Sequence, residues 1–216
     1  MTTAPGVAAR AQIGLLGGSF DPPHNAHLAV ARGVRAAKSL DRVDLLVSGQ
    51  SPHADGKSNH ADVQHRLAMA RIAVEGQPGL GVEDWETKQD GRSYSIETIR
   101  HLQGAHPDND YFFIVGGDML ADLPTWREAT ELLRRVEFIP VFRPGHTAEV
   151  FRELKGKLPK PVLETLQANV VKMPLQEISS TAIRAAVAAG ESISHEVPAA
   201  VEIYIRANRL YFGGEA

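Results

Sequence analysis

Short unbroken apolar runs, each followed by glycine or loop residues and then by a helical pattern, limit what this chain can fold into more than any other feature. Residues 13–16 run into Gly17-Gly18, residues 43–47 lead into a long loop over 48–59, residues 111–115 end at Gly116-Gly117, and residues 136–142 stop at Arg143-Pro144-Gly145. Residues 81–85 and 169–172 read as two further short strands. Between these runs, residues 25–38, 95–102, 127–133, 181–189 and 197–208 carry helical patterns, and Val63, Leu67, Ala70 and Val74 fall on one helical face closed by Gly76. A strand that is apolar at every position is buried on both faces, so the alternation predicts an α/β fold: a mainly parallel sheet with helices on both faces. Ligands of such sheets sit at the carboxyl ends of the strands, where the Gly-rich and His-rich segments of this sequence fall. The stretch 146–161, charged and bounded by prolines, reads either as a surface helix or as a small subdomain loop.

Composition narrows the function classes. The net charge is −3, with no run of basic residues, so a nucleic-acid partner is not expected. The absence of cysteine removes disulfides, thiolate nucleophiles and Cys-based zinc sites together. No stretch approaches the ~20 apolar residues of a membrane span, and residues 1–11 lack the apolar core of a signal peptide. The expectation is a soluble cytoplasmic protein, 1–216 forming one domain behind a frayed leader over 1–11, with homo-oligomerisation left open.

Two segments carry phosphate chemistry. In Gly17-Gly18-Ser19-Phe20-Asp21-Pro22-Pro23-His24-Asn25-Ala26-His27 a strand enters a turn and a helix begins. Glycines let the backbone approach a ligand, a helix N-terminus presents free N–H groups, and His24 and His27, three apart, can face one cleft. Imidazoles beside anionic oxygens favour their charged form. In Ile178-Ser179-Ser180-Thr181-Ala182-Ile183-Arg184 the same logic applies at a second helix start. The hydroxyls of Ser179 and Ser180 and the fork of Arg184, one turn in, suit a phosphate. Read alone, the first segment is also compatible with two surface histidines on a capped helix, and the second with an ordinary cap and a solvated Arg.

The first segment resembles the signature of the nucleotidylyltransferase superfamily, and its Gly-Ser-Phe-Asp-Pro-Pro-His form is similar to that of the nicotinate-nucleotide adenylyltransferases. The second resembles the same family's other ATP motif, and the likeness extends from Ile13 to Tyr211. The resemblance implies a Rossmann-like nucleotidylyltransferase fold and an adenylyltransferase that joins nicotinate mononucleotide to the AMP moiety of ATP, with Mg²⁺ carried by the substrate phosphates and no metal held by the protein. It implies ATP contacts from Gly17, Gly18, Ser19, Phe20, His24, His27, Ser179, Ser180 and Arg184, of which His24, His27 and Arg184 would be catalytic. Residues 177–216 would form a C-terminal helical part completing the ATP site. The mononucleotide would be held by Ser51, His53, Tyr94, Ser95, Gly117, Asp118, Trp126 and Arg143, with Trp126 stacking on the pyridine ring.

Departures from the family pattern are Ala26 in place of the Gly between the histidines, Ala54 in place of a Lys after His53 (Lys57 lies in the same loop), and Ser95 in place of Thr. They keep two rivals in view: the same fold acting on nicotinamide mononucleotide or another phosphate acceptor, and a nucleotide-binding sensor without turnover. Asp21, His24 and His27 could in principle hold a transition metal, but no further ligand is spaced to complete the set. No P-loop, Gly-x-Ser-x-Gly elbow or His-Glu-x-x-His motif is present.

Overall fold

The computed structural model describes residues 10–50, 61–142, 147–174 and 177–213. Six strands, β1 (Ala11–Gly18), β2 (Arg42–Val47), β3 (Leu80–Glu83), β4 (Asn109–Gly116), β5 (Glu137–Phe142) and β6 (Val171–Lys172), form one sheet in the order β3-β2-β1-β4-β5-β6. Every neighbouring pair is parallel. The helices are α1 (Asn25–Lys38), α2 (Val63–Val74), α3 (Ser95–Ala105), α4 (Gly117–Asp122), α5 (Ala129–Arg135), α6 (Thr147–Leu154), α7 (Lys160–Ala168), α8 (Ser180–Ala188) and α9 (Ala199–Ala207).

The period of two along each strand sorts the core into two layers. Leu16, Val43, Leu45, Val47, Ile114 and Val141 face one side, where Leu28 and Ala31 of α1, Leu67 of α2, Ile183 of α8 and Val201 of α9 cover them. Ile13, Leu15, Leu46, Phe113, Val115 and Phe138 face the other, under Ile99 of α3, Leu120 of α4, Leu132 of α5, Leu154 of α6 and Leu166 of α7. This is the doubly covered parallel sheet expected from the continuous apolar runs. Chain order reverses between β1 and β4: the chain steps outward from β1 through β2 and β3, then returns to lay β4 on the opposite side of β1. The crevice at the carboxyl ends of those two strands is therefore where a ligand fits.

Several boundaries differ from the sequence reading. β1 begins at Ala11 and pairs through Gly17 and Gly18, whose partners are Leu46 and Val47, because ladder hydrogen bonds are made by the backbone and do not require apolar side chains. Ala11, expected within a frayed leader, is the first residue of β1. The short strand expected over 81–85 is Leu80–Glu83, and Trp85–Lys88 instead forms a 3-10 turn. The helix expected over 127–133 is shifted to Ala129–Arg135, starting after Glu128, which adopts a left-handed φ of 52°. The ambiguous stretch at 146–161 contains α6, and α7 follows with Pro161 in its first turn, a position that proline tolerates. Neither α4 nor α7 was expected; α4 spans only six residues, too few to show a period, and α7 begins at the end of the stretch that the sequence left ambiguous.

Ile99 is 0% exposed at the centre of the second layer. Ile99→Ala is expected to lower the free energy of unfolding by about 2–5 kcal/mol, read as a shift in the urea midpoint with an unchanged slope.

Candidate active site

The turn after β1 is built from residues that each solve a local problem. Phe20 takes a left-handed φ of 50°, unfavourable for a bulky side chain, and its ring is buried with its edge toward His27, centroids 5.0 Å apart. A cis Asp21–Pro22 peptide follows. His24 is the N-cap of α1 and His27 lies in the first turn. Their rings stack at 3.6 Å between centroids, and the His24 backbone N–H donates to His27 Nδ1 at 3.2 Å. Because Nδ1 accepts that bond, the neutral His27 carries its proton on Nε2. Burial pushes His24 down to about 4. Burial, and after it the neighbouring His24, pushes His27 down to about 3. Both rings are therefore neutral at pH 7 by themselves, and the charged form considered from the sequence is that of rings beside anionic oxygens. Anionic oxygens next to them would be needed to raise them.

The second motif arrives at the same place. Ser179 caps α8, its Oγ accepting from Ala182 N at 3.2 Å. The Ser180 hydroxyl donates to the Pro22 carbonyl at 2.9 Å, and Arg184 Nη1 donates to the Asp21 carbonyl at 2.7 Å, contacts spanning 158 and 163 positions of sequence. The Arg184 side chain is 14% exposed, and its Nη1 lies 3.8 Å from a carboxylate oxygen of Asp21. The segment before α9 adds two bonds: Asn25 N donates to the Glu196 carbonyl at 2.8 Å and Asn25 Nδ2 to the His195 carbonyl at 2.9 Å. The two stretches that the sequence suggested as halves of one phosphate site are thus joined directly.

Asp21, 0% exposed, accepts on Oδ1 from the Tyr211 hydroxyl at 2.7 Å and from Ala61 N at 3.1 Å. The same contact, after burial, raises the Tyr211 hydroxyl well above its ordinary value. Asp21 therefore ties the turn to the C-terminus and is not placed as the metal ligand considered from sequence. Sequence inspection also missed Arg66. This buried side chain of α2 donates to three carbonyls: Ser19 at 2.8 Å, Ser48 at 2.7 Å and Gly49 at 2.6 Å. Those carbonyls belong to the loops leaving β1 and β2, so one guanidinium sets the spacing of both. On its helix face Arg66 reads as a solvated charge, and only the tertiary fold turns it inward.

A cavity of about 220 Å³ opens beside this turn, lined among others by Gly18, Ser48, Glu86, Tyr94, Phe113 and Trp126. Trp126 packs edge-on against Phe113 and Phe138, at 5.8 and 6.2 Å, and Arg127 lies 4.5 Å over the ring of Tyr94. Gly17, Ser19 and Ser95 line it as well; of the lining residues, Tyr94, Ser95 and Trp126 are ones expected at the mononucleotide, whereas Gly17, Gly18 and Ser19 were expected at ATP. Gly117 and Asp118 begin α4 and do not line the cavity; the residue of that helix that does is Met119. Ser51, His53 and Arg143, together with Lys57, lie outside the described residues. Glu86 and Ser48, which do line the cavity, had no motif to single them out.

The family model described as cytidylyltransferase-like matches residues 15–186. Among curated relatives, a protein of Symbiobacterium thermophilum is 39% identical over 206 residues, 95% of this chain and 98% of its own length. One of Oceanobacillus iheyensis is 35% identical over 200 residues, 93% of this chain and 96% of its own. One of Streptococcus pyogenes is 40% identical over 202 residues, 94% of this chain and 89% of its own. All three carry the name "Probable nicotinate-nucleotide adenylyltransferase". Two solved structures of the Plasmodium falciparum nicotinic acid mononucleotide adenylyltransferase, complexed with APC and with NaAD, superpose with TM-scores of 0.72 and 0.73 at 20% identity, covering 95% of this chain and 100% of theirs; at that identity the likeness fixes the fold.

Two outcomes follow from this geometry. Arg66→Met leaves three buried carbonyls without their donor and is expected to destabilise the protein by on the order of 3 kcal/mol, while lowering turnover more than the affinity for either substrate measured singly. The histidine pair sets a pH dependence. Unfolded imidazoles titrate near 6.5, the folded ones near 4 and 3, so below 6.5 the unfolded chain binds more protons and stability falls as pH drops toward 4. The slope is up to about 1.4 kcal/mol per pH unit for each ring. Denaturant titrations of the double variant His24→Ala/His27→Ala should show that slope flattened.

Proposed function

The chain belongs to the cytidylyltransferase-like family, among the nicotinate-nucleotide adenylyltransferases, and on that premise we propose how its residues divide the work of the reaction. It is a nucleotidyltransferase of NAD biosynthesis: nicotinate mononucleotide attacks the α-phosphorus of ATP, deamido-NAD forms, and pyrophosphate leaves. The observation that carries the assignment of the ATP site is the direct bonding of Ser180 and Arg184 to Pro22 and Asp21, which brings two phosphate-binding helix starts to one turn at the end of β1.

The acceptor's 5′-phosphate is already a competent nucleophile, so catalysis here is positioning plus electrostatic stabilisation of the leaving pyrophosphate. His27 offers its Nε2–H to the phosphate chain while its Nδ1 keeps the bond from the His24 backbone N–H; His24, whose Nδ1 is buried without a partner among the described residues, is the ring that gains a proton as the anionic oxygens settle against it, because opposite charge raises an imidazole pKa. Arg184 spends one donor on Asp21 and one on Thr181 and turns the rest of its fork to the β and γ phosphates. Ser180 commits its hydroxyl proton to Pro22 and serves the phosphates through its place in the first turn of α8. Ser179 keeps its own hydroxyl proton free, since its oxygen acts as an acceptor in the cap.

Mg²⁺ carried by the ATP phosphates would supply positive charge for the leaving group. The donor set fits an ion held by substrate, because the carboxylate of this turn, Asp21, is buried and already engaged by Tyr211 and Ala61. The acceptor ring enters the cavity between Trp126, Phe113 and Tyr94, with Ser95 at the start of α3. Among the described residues no helix is long and apolar enough to cross a membrane, and the cysteine-free chain supports a cytoplasmic setting.

Pyrophosphate release from ATP, Mg²⁺ and nicotinate mononucleotide is the direct test; tight ATP binding with no pyrophosphate formed would overturn the assignment in favour of a sensor. His27→Ala should lower kcat by about 10²–10³, with the urea midpoint at pH 7.5 moved far less than that loss would suggest. Near-normal turnover in both His27→Ala and Arg184→Ala would refute the placement of the triphosphate.

A further inference from the structure

The acceptor cavity has a carboxyl group in its wall. Glu86, in the 3-10 turn after β3, lines the cavity and is 5% exposed. Its hydrogen-bond partners are neutral hydroxyls. Thr98 Oγ1 of α3 donates to Oε1 at 2.6 Å, and the Ser93 hydroxyl also bonds to the carboxyl group. Ser93 Oγ in turn accepts the Gly49 N–H at 3.1 Å, which leaves its single proton for Glu86. The loop after β2 presses on the same turn, since a methyl group added at Gly49 would collide with the Glu86 carbonyl oxygen.

The charges around Glu86 do not neutralise it. Glu83 of β3 adds a second negative charge nearby. Asp84 and Lys88 of its own turn are paired with each other, and Asp84 also with Arg71 of α2. His101 of α3 is exposed and stacks on Trp85. Arg127, also lining the cavity, is engaged by Glu97 at 3.1 Å and by the Tyr94 ring.

On the preceding reading, the acceptor brings a ring carboxylate into this cavity. Two carboxylates in one confined, weakly solvated site do not both stay ionised. We propose that Glu86 takes up a proton from solvent when a carboxylate-bearing mononucleotide binds, donates it as a hydrogen bond to that carboxylate, and so makes the cavity prefer the acid over the corresponding amide. Burial already pushes the Glu86 carboxyl above its ordinary range, which makes this protonation easier. An ionised Glu86 has the opposite preference: it repels the acid and accepts from the amide NH₂. The preference for the acid should therefore weaken as pH rises. Glu86 is then a specificity-determining residue for the acceptor, at a position that no motif marks.

The test is calorimetric titration of the full-length protein with nicotinate mononucleotide and, separately, nicotinamide mononucleotide, each in buffers of different ionisation enthalpy at pH 7.5. The 5′-phosphate is common to both ligands, so any proton uptake at the phosphate site cancels in the difference. The wild type should take up close to one proton more with the acid than with the amide, and Glu86→Gln, which keeps an acceptor for Thr98, should abolish that difference. In steady state, the wild-type kcat/KM for the acid relative to the amide should fall by up to about tenfold per pH unit once Glu86 ionises, and the ratio for Glu86→Gln should stay flat. Equal proton uptake with the two ligands in the wild type would overturn the proposal without any variant, as would a difference that survives in Glu86→Gln. If neither mononucleotide binds, the acceptor assignment has failed, and the proposal falls with it for a reason visible in the same titration.

Discussion

The buried carboxylate of Asp21 is the point on which the site depends. It sits in the turn that follows β1, without solvent, and a carboxylate in that position is tolerable only if donors reach it from elsewhere in the fold. They come from the two ends of the surrounding structure: Ala61 N ahead of α2, and the Tyr211 hydroxyl beyond α9. Arg184 of α8 adds its charge nearby and bonds the Asp21 carbonyl. The C-terminal helices are thereby held over the turn, and Ser179 and Arg184 become neighbours of His24 and His27. Without this anchor, α8 would still have an apolar face to bury, through Ile183 and Val187, but nothing would fix its N-terminus against the turn after β1 to within a hydrogen bond.

Arg66 does for the two loops what Asp21 does for the two motifs. By donating to Ser19, Ser48 and Gly49, it makes the end of β1, where the triphosphate would lie, and the end of β2, which borders the acceptor cavity, parts of one rigid unit. Reactions that need two substrates aligned in line draw much of their rate from such fixed separation. The histidine pair follows a complementary logic. Stacked, desolvated and held by a backbone bond to Nδ1, the rings are kept neutral by the protein itself, so that any positive charge they acquire must be stabilised by the ligand. Charge that appears only against phosphate adds most where negative charge is greatest, on the departing pyrophosphate.

Much of this was legible before the coordinates. Unbroken apolar runs at 13–16, 43–47 and 111–115 announced a parallel sheet because a strand covered on both faces has no polar side to show. Gly17 to His27 and Ile178 to Arg184 stood out because helix starts rich in small and hydroxyl residues are anion sites by construction. Tyr94, Ser95 and Trp126 were picked out by family likeness, and they do line the cavity. Arg66 and Glu86 were illegible for the same reason as each other: a charged residue on an amphipathic helix or in a short turn has the pattern of a surface group, and only its burial reveals otherwise. Asp118 is the opposite case, conspicuous after two glycines yet exposed beside a cavity that Met119 lines.

The amino-acid sequence by itself determined the class of fold, the two candidate phosphate-binding helix starts and the chemistry they offer, because strand burial, helix capping and anion affinity are local properties readable from residue type and spacing. Only the tertiary structure decided that those helix starts meet, that Asp21 is an anchor, that Arg66 bridges two loops and that Glu86 stands in the wall of the cavity. Each of these depends on contacts between residues far apart in the chain, and burial, which turns an ordinary charge into a constrained one, exists only once the chain has closed around it.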